Sequence, residues 1–159
     1  MQSAAGTQKQ QVFEHAPEAL QRGDYSAAES GFRKVLQSEP GNLQRPLGNL
    51  GVLYSRTNRD AHAIDVYQQA LRAAPQDGGI LLNLGRVYLK QGDYARALPY
   101  FRRLHARDPG NLQATNRLAT CLVYGGQPAA ALHLLKPLAD KKPDPATLYL
   151  LGVAYSRTG

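Results

Sequence analysis

The chain has 159 residues, 43% of them hydrophobic and 19% charged, which is enough for one packed domain or a short repeat array and argues against wholesale disorder. A single cysteine, Cys121, excludes an internal disulfide and a zinc site built from cysteines. The net charge of +7 favours anionic partners such as acidic peptides, carboxylate termini, phosphates or nucleic acid. No apolar run reaches the roughly 18–20 residues of a membrane helix, and the start of the chain lacks a secretory apolar stretch. The compartment stays open: cytoplasmic, or periplasmic or secreted if an upstream signal has been removed.

The chain repeats itself every 34 or 35 residues. Prolines, alanines and large apolar residues recur at this spacing in four successive repeats. The three columns are Pro40, Pro75, Pro109 and Pro143; Ala28, Ala63, Ala97 and Ala131; and Phe32, Tyr67, Phe101 and Leu135. They predict repeats over residues 9–42, 44–77, 78–111 and 112–144, a partial fifth over 145–159, and a disordered tail over 1–8.

Each repeat is predicted to be a pair of helices. In the first repeat, Pro17 interrupts the helix expected from about residue 9 to residue 22, so that helix should start late or bend. The third repeat is the clearest, because one helical stripe ends at Gly92 and a second ends at Pro109. The two stripes are Leu81, Leu84, Gly85 and Tyr88, and then Tyr94, Ala97, Leu98, Phe101 and Leu104. Sustained two-residue alternation is absent from the sequence, so strands are not indicated.

This arrangement resembles a known family. The motif Leu84-Gly85-x2-Tyr88, followed by Ala97-x3-Phe101 and Pro109, resembles the tetratricopeptide repeat, a helix-turn-helix unit. The resemblance runs from about residue 9 to the end of the chain, which makes residues 9–159 a single domain. It implies an all-α fold: a right-handed superhelical solenoid of antiparallel helix pairs, with about four repeats and one extra terminal helix.

The sequence departs from the family pattern in the first helices. The large aromatic residue that often opens the first helix is absent, and its places hold Leu47, Leu81, Thr115 and Leu148. Asn83 and Arg117 resemble two of five residues in the family's clamp for a terminal carboxylate. Gly48, Val52 and Gln113 stand where that clamp would have lysine, asparagine and lysine. An internal acidic or extended segment therefore fits better than a terminal carboxylate.

The polar face of each first helix is the candidate binding surface. These faces carry Arg45, Asn49, Val52 and Arg56; Asn83, Arg86 and Lys90; Gln113, Asn116, Arg117, Thr120 and Tyr124; and Tyr149, Val153 and Arg157. The resemblance implies that such faces line a concave groove in the stacked array. Asparagine can hold an extended backbone, and arginine can hold a carboxylate. We therefore predict a peptide site made by Arg45, Asn49, Arg56, Asn83, Arg86, Lys90, Asn116, Arg117 and Tyr124.

The sequence offers little support for catalysis. The four histidines stand at unrelated offsets, and phosphate-loop and nucleophile-elbow motifs are absent. Cys121 lies within a helical stripe and is interpreted as a small core residue. We therefore predict a non-enzymatic scaffold or adaptor with no cofactor and no metal. Two alternatives stay open: RNA binding through the basic face, and a docking or regulatory region of a larger enzyme or secretion assembly.

The last segment, residues 145–159, reads as the first helix of a fifth repeat. Leu148, Leu151 and Tyr155 would then lack a following helix to cover them. Repeat arrays normally close with a polar capping helix. We therefore expect a fragment of a longer protein, and self-association through this apolar edge.

Overall fold

The computed structural model describes residues 15–159. The expected tail over residues 1–8 and the expected start of the first helix near residue 9 lie outside this range. Within it, all regular structure is helical, and residues 15–22 are helical through Pro17. The helices are α1 (residues 15–22), α2 (Tyr25–Ser38), α3 (Gln44–Arg56), α4 (Asp60–Ala73), α5 (Gly78–Lys90), α6 (Tyr94–Arg107), α7 (Leu112–Tyr124), α8 (Pro128–Lys141) and α9 (Pro145–Thr158). The predicted helix pairs and the all-α repeat architecture are confirmed.

Short turns join the two helices of each repeat. Gly23, Gly92 and Gly126 adopt positive φ angles of 79°, 71° and 88°, as a helix end followed by a tight reversal requires. Asn58 takes this place in the second repeat, with φ 57°, because asparagine tolerates the left-handed region better than most residues. The next helix often begins with a capping carboxylate: Asp93, for example, accepts the backbone N–H of Arg96 at 3.0 Å.

The chain divides into two compact units, and the boundary falls inside α5, between Ile80 and Leu81. In the N-terminal unit, α3 packs against both α2 and α4. A Cβ added to Gly51 would overlap the ring of Tyr67, which is 1% exposed, so the absence of a side chain at Gly51 lets α4 lie close to α3. Leu47, Leu50 and Tyr54, which stand one repeat before the predicted stripe residues Leu81, Leu84 and Tyr88, are buried as well.

The C-terminal unit, residues 81–159, uses the same packing. A Cβ on Gly85 would lie 2.7 Å from Cζ of Phe101, which is fully buried. Helix α7 packs against α6, α8 and α9, and α9 also packs on α8. Thr115, at one of the places without the family aromatic, is buried and its hydroxyl lies 2.9 Å from Nδ1 of His105.

Within residues 15–159, none of the helices combines the length and the apolar character that crossing a membrane requires.

A candidate peptide-binding cleft between α7 and α9

Residues of helices α7 and α9 line an open cleft of about 420 Å³ in the C-terminal unit. It is lined by Gln113, Asn116, Arg117, Thr120, Tyr124, Ala146, Tyr149 and Leu150. Six of these residues belong to the polar faces that the sequence predicts as a binding surface. Ala146 and Leu150 were not anticipated, because both are apolar and the sequence analysis searched for polar side chains.

A hydrogen-bond network at the start of α9 joins this helix to α7 beside the cleft. Asp144 caps this helix by accepting the backbone N–H groups of Ala146 at 3.1 Å and Thr147 at 3.3 Å. The hydroxyl of Thr147, which is fully buried, donates to Oδ1 of Asn116 at 3.0 Å, and Nδ2 of Asn116 lies 3.5 Å from Asp144. Asn116 therefore joins α7 to α9, and it also lines the cleft.

Arg117 is the cationic residue of the cleft. Its Nε–H is buried and finds no hydrogen-bond acceptor among residues 15–159. Burial, together with the nearby positive charge of Arg86, lowers the pKa of the Arg117 guanidinium, although arginine remains charged in proteins. A half-buried arginine with an unsatisfied N–H and a neighbouring cation favours an anionic hydrogen-bond acceptor.

Aromatic side chains form the other end of the cleft. Tyr124 stacks on Tyr94 with ring centroids 5.7 Å apart, and the guanidinium of Arg157 lies 4.8 Å from the centroid of Tyr124. A hydrogen bond with Tyr149 is the main reason that the pKa of the Tyr124 hydroxyl is raised, and burial adds to the shift. Tyr149 itself is 64% exposed, so it presents a large apolar surface to the cleft.

The positive charge of the chain is concentrated in the unit that holds this cleft. Residues 81–159 contain 11 Lys and Arg against 4 Asp and Glu, a net charge of +7, whereas residues 1–80 contain 8 of each and are neutral. One of the few carboxylates near the cleft, Asp144, is already occupied by capping α9. The local field therefore attracts anions.

The other predicted site residues are distributed over both units. In the N-terminal unit, Arg45 is exposed and Asn49 is half-buried on α3. Arg56 directs its guanidinium to the backbone oxygen of Leu20 at 3.4 Å, which places it at the end of α1. In the C-terminal unit, Asn83 is half-buried, while Arg86 and Lys90 are exposed on α5. The cleft thus brings together Asn116, Arg117 and Tyr124, with Arg86 close enough to act on Arg117 electrostatically.

A polar cluster in the N-terminal unit was not anticipated from the sequence. The hydroxyl of Tyr54 donates to Glu29 at 2.9 Å, and Arg59 donates to the same carboxylate at 3.1 Å while lying 4.6 Å from the centroid of the Tyr54 ring. Arg33 also pairs with Glu29, at 2.9 Å. Tyr54 stands at the place of the stripe residue Tyr88 one repeat earlier, and a stripe pattern does not indicate that its hydroxyl would reach a carboxylate of the preceding repeat.

The structure contains few groups suited to catalysis. Across residues 15–159, no three His, Cys, Asp or Glu side chains gather to hold a metal ion. Cys121 is 2% exposed, and burial raises the pKa of its thiol to about 11, so the nucleophilic thiolate is scarce near neutral pH.

The repeated helix pairs define a helical-repeat protein, and repeats of this kind serve as protein-interaction scaffolds. Models of the tetratricopeptide repeat match residues 13–78, 61–98 and 88–154. The chain belongs to the tetratricopeptide repeat family.

Similar proteins serve different assemblies. The chain is 33% identical over 76 residues to the photosystem I assembly protein Ycf3 of Prochlorococcus marinus, covering 46% of this chain and 44% of that protein. It is 26% identical over 128 residues to anaphase-promoting complex subunit 3 of Schizosaccharomyces pombe, covering 80% of this chain and 19% of that subunit. The matches thus cover less than half the length of these curated relatives.

Solved structures share the fold. The crystal structure of MamA aligns with a TM-score of 0.84 at 19% identity, covering 97% of this chain and 84% of MamA. YrrB, described as a tetratricopeptide repeat protein with an unusual peptide-binding site, aligns with a TM-score of 0.82 at 22% identity, covering 92% of this chain and 76% of YrrB.

Proposed function

We propose that this chain is a protein-interaction scaffold that binds an extended, acidic peptide segment of a partner, and that the α7–α9 cleft holds that segment. The observation that carries the proposal is Arg117, which lines the same cleft as the exposed Tyr149 and has a buried Nε–H that lacks an acceptor among residues 15–159.

A carboxylate fits Arg117 better than a neutral group. An unsatisfied buried donor costs about 1–3 kcal/mol, and a hydrogen bond between charged groups returns about 1.5–3 kcal/mol. A carboxylate would also offset the repulsion between Arg117 and Arg86. The net charge of +7 on residues 81–159 would steer an acidic segment toward this unit.

The remaining lining suits a peptide backbone and an apolar side chain. The side-chain amides of Asn116 and Gln113 line the cleft and can bond to peptide groups. The ring of Tyr149 and the side chain of Leu150 offer a surface for an apolar residue next to the acidic one. The peptide-binding site named for YrrB lends general support, because that protein shares the fold.

The test is a binding screen with pairs of synthetic peptides that differ only by glutamate or glutamine at one position. Changing Arg117 to Gln should weaken binding of the glutamate peptide by about 1.5–3 kcal/mol, which is roughly 10- to 150-fold. Arg102→Gln is the matched control, because it removes the same charge from an exposed position on α6, outside the cleft. Equal losses in both variants, or equal binding of the two peptides, would contradict the proposal.

RNA binding is the second candidate, and the same concentration of positive charge on residues 81–159 supports it. Binding through general charge would fall steeply with salt and would respond alike to Arg117→Gln and Arg102→Gln. Peptide binding that persists at physiological salt and is lost in Arg117→Gln would favour the peptide site over RNA binding through general charge. A docking role within a larger enzyme or assembly is compatible with the same cleft.

Self-association through α9 also remains a proposal. Of the predicted apolar edge, Leu148 and Tyr155 are each 48% exposed, and Leu151 is half-buried. Light scattering over a range of protein concentrations tests it, and a strict monomer at the highest concentration would contradict it.

A further inference from the structure

A second pocket of the C-terminal unit is lined by the last turn of α6, the start of α7 and α8 from residue 133 onward. Its volume is about 420 Å³, which lies within the range of roughly 300–1,000 Å³ found for small-molecule sites. We call it the α6–α8 pocket and define it by His105, Thr115, Leu134, Leu138, Lys141 and Lys142. The lining ends at Lys142, so α9 takes no part in it.

Two polar residues in this lining replace leucines of the earlier repeats. Thr115 is 1% exposed, and its hydroxyl lies 2.9 Å from Nδ1 of His105. His105 stands four residues before the repeat proline. Leucines stand at both places in the earlier repeats: Leu36 and Leu71 for His105, and Leu47 and Leu81 for Thr115. Threonine is smaller than leucine and polar, so this place is filled less and offers a hydrogen-bonding group.

The remaining lining combines apolar and cationic side chains. Leu134 and Leu138 are half-buried, and together with Pro137 they form an apolar wall. The lining contains no Asp or Glu, and its ionisable side chains are all basic: His105, His133, Lys141 and Lys142.

Helix dipoles do not cancel this positive charge. Lys141 lies in the last turn of α8, and Lys142 is the residue that ends the helix. The C-terminal ends of α6 and α8 each carry about half a negative charge. Two lysines exceed this sum, so the pocket stays net positive.

We propose that the α6–α8 pocket binds a small organic acid, with its apolar ring or chain against Leu134 and Leu138 and its anionic group beside Lys141 and Lys142. An inorganic anion would leave the apolar wall uncovered. A neutral apolar molecule would leave the lysines without a counter-charge. An organic acid satisfies both parts of the lining.

This site is separate from the α7–α9 cleft, because the two share no lining residue. The two proposals can therefore fail independently. Variants of Lys141 and Lys142 test the α6–α8 pocket, and Arg117→Gln tests the cleft.

The probe is anilinonaphthalene sulfonate, an aromatic anion whose fluorescence rises in apolar surroundings. Phenylnaphthylamine is the matched neutral probe, because it has the same rings without the sulfonate. Titration of the whole chain should show saturable binding of the anion. Changing both Lys141 and Lys142 to Gln should weaken that binding by roughly fivefold or more and leave the neutral probe within about twofold, since only the sulfonate is attracted by the lysines.

Two further variants act as controls. Changing both Arg102 and Lys136 to Gln removes two charges from exposed positions of α6 and α8 outside the pocket, and should leave binding of the anion within about twofold. Thr115→Leu restores the leucine of the earlier repeats and should weaken both probes, because it occupies space in the pocket. Circular dichroism checks that each variant is folded, since this probe also binds loosely packed chains.

Nuclear Overhauser effects locate the probe on the parent chain. Contacts between its aromatic protons and the methyl groups of Leu134 and Leu138 are expected. Contacts to Leu150 alone would place the probe in the α7–α9 cleft and overturn the proposal. So would failure of the anion to bind, or equal losses in the two double variants.

Discussion

Two glycines at the same place in their repeats should respond in opposite ways to alanine. Gly85 lies under the ring of Phe101, whereas Gly152 faces open space. Both are inside helices, where alanine is preferred over glycine by about 0.5–1 kcal/mol because it restricts the unfolded chain. The difference between the variants therefore reports the contact with the following helix.

The magnitude follows from the distances. A Cβ on Gly85 would lie 2.7, 2.9 and 3.1 Å from three ring carbons of Phe101, closer than carbon atoms pack. Phe101 is fully buried, so the ring has no solvent-filled space to move into. Overpacking of this kind costs about 1–3 kcal/mol. After the helix preference is subtracted, Gly85→Ala should lower the free energy of unfolding by up to about 2.5 kcal/mol, and Gly152→Ala should raise it by about 0.5–1 kcal/mol.

Urea unfolding followed by circular dichroism measures both variants against the parent chain. Hydrogen exchange locates the change, since Gly85→Ala should reduce protection in α5 and α6. If Gly85→Ala raised the unfolding midpoint as Gly152→Ala does, the close packing of α6 on α5 would be wrong. If Gly152→Ala were as destabilising as Gly85→Ala, the space beside Gly152 would not be open in solution.

Two further predictions concern ionisable groups. Burial would raise the pKa of Glu29, but hydrogen bonds from Tyr54, Arg59 and Arg33 outweigh it and leave the pKa below its ordinary 4.5. The folded state therefore gains stability from this carboxylate above about pH 4.5 and loses it as pH falls through the lowered pKa. In Glu29→Gln, the free energy of unfolding should therefore fall less between neutral and acidic pH than in the parent chain. The same fall in both proteins would contradict the hydrogen bonds to Glu29. Burial raises the pKa of the Cys121 thiol to about 11, so a thiol reagent near neutral pH should react only as fast as the unit opens. Rapid labelling of the folded chain would contradict the buried position.

Local patterns in the sequence were enough to predict the helices. The apolar stripes follow the period of an α-helix, Gly23 and Gly92 end helices, and small residues recur where helices must approach closely. Because each repeat makes the same contacts with its neighbours, one periodic pattern carries information about every helix pair. The same pattern predicted that Leu148, Leu151 and Tyr155 would be uncovered; Leu148 and Tyr155 are 48% exposed, whereas Leu151 is half-buried.

The tertiary structure decided which polar residues come together. The sequence treated Asn49, Asn83 and Asn116 as members of one class, but only folding of α9 beside α7 places Asn116 in bonds with Thr147 and Asp144. It also decided that Arg117 would have a buried, unsatisfied Nε–H beside an exposed Tyr149. Such contacts join residues about thirty positions apart and depend on side-chain directions, which helical periodicity does not specify. The sequence by itself thus determined the repeat and its core, while the three-dimensional packing determined where a ligand can bind.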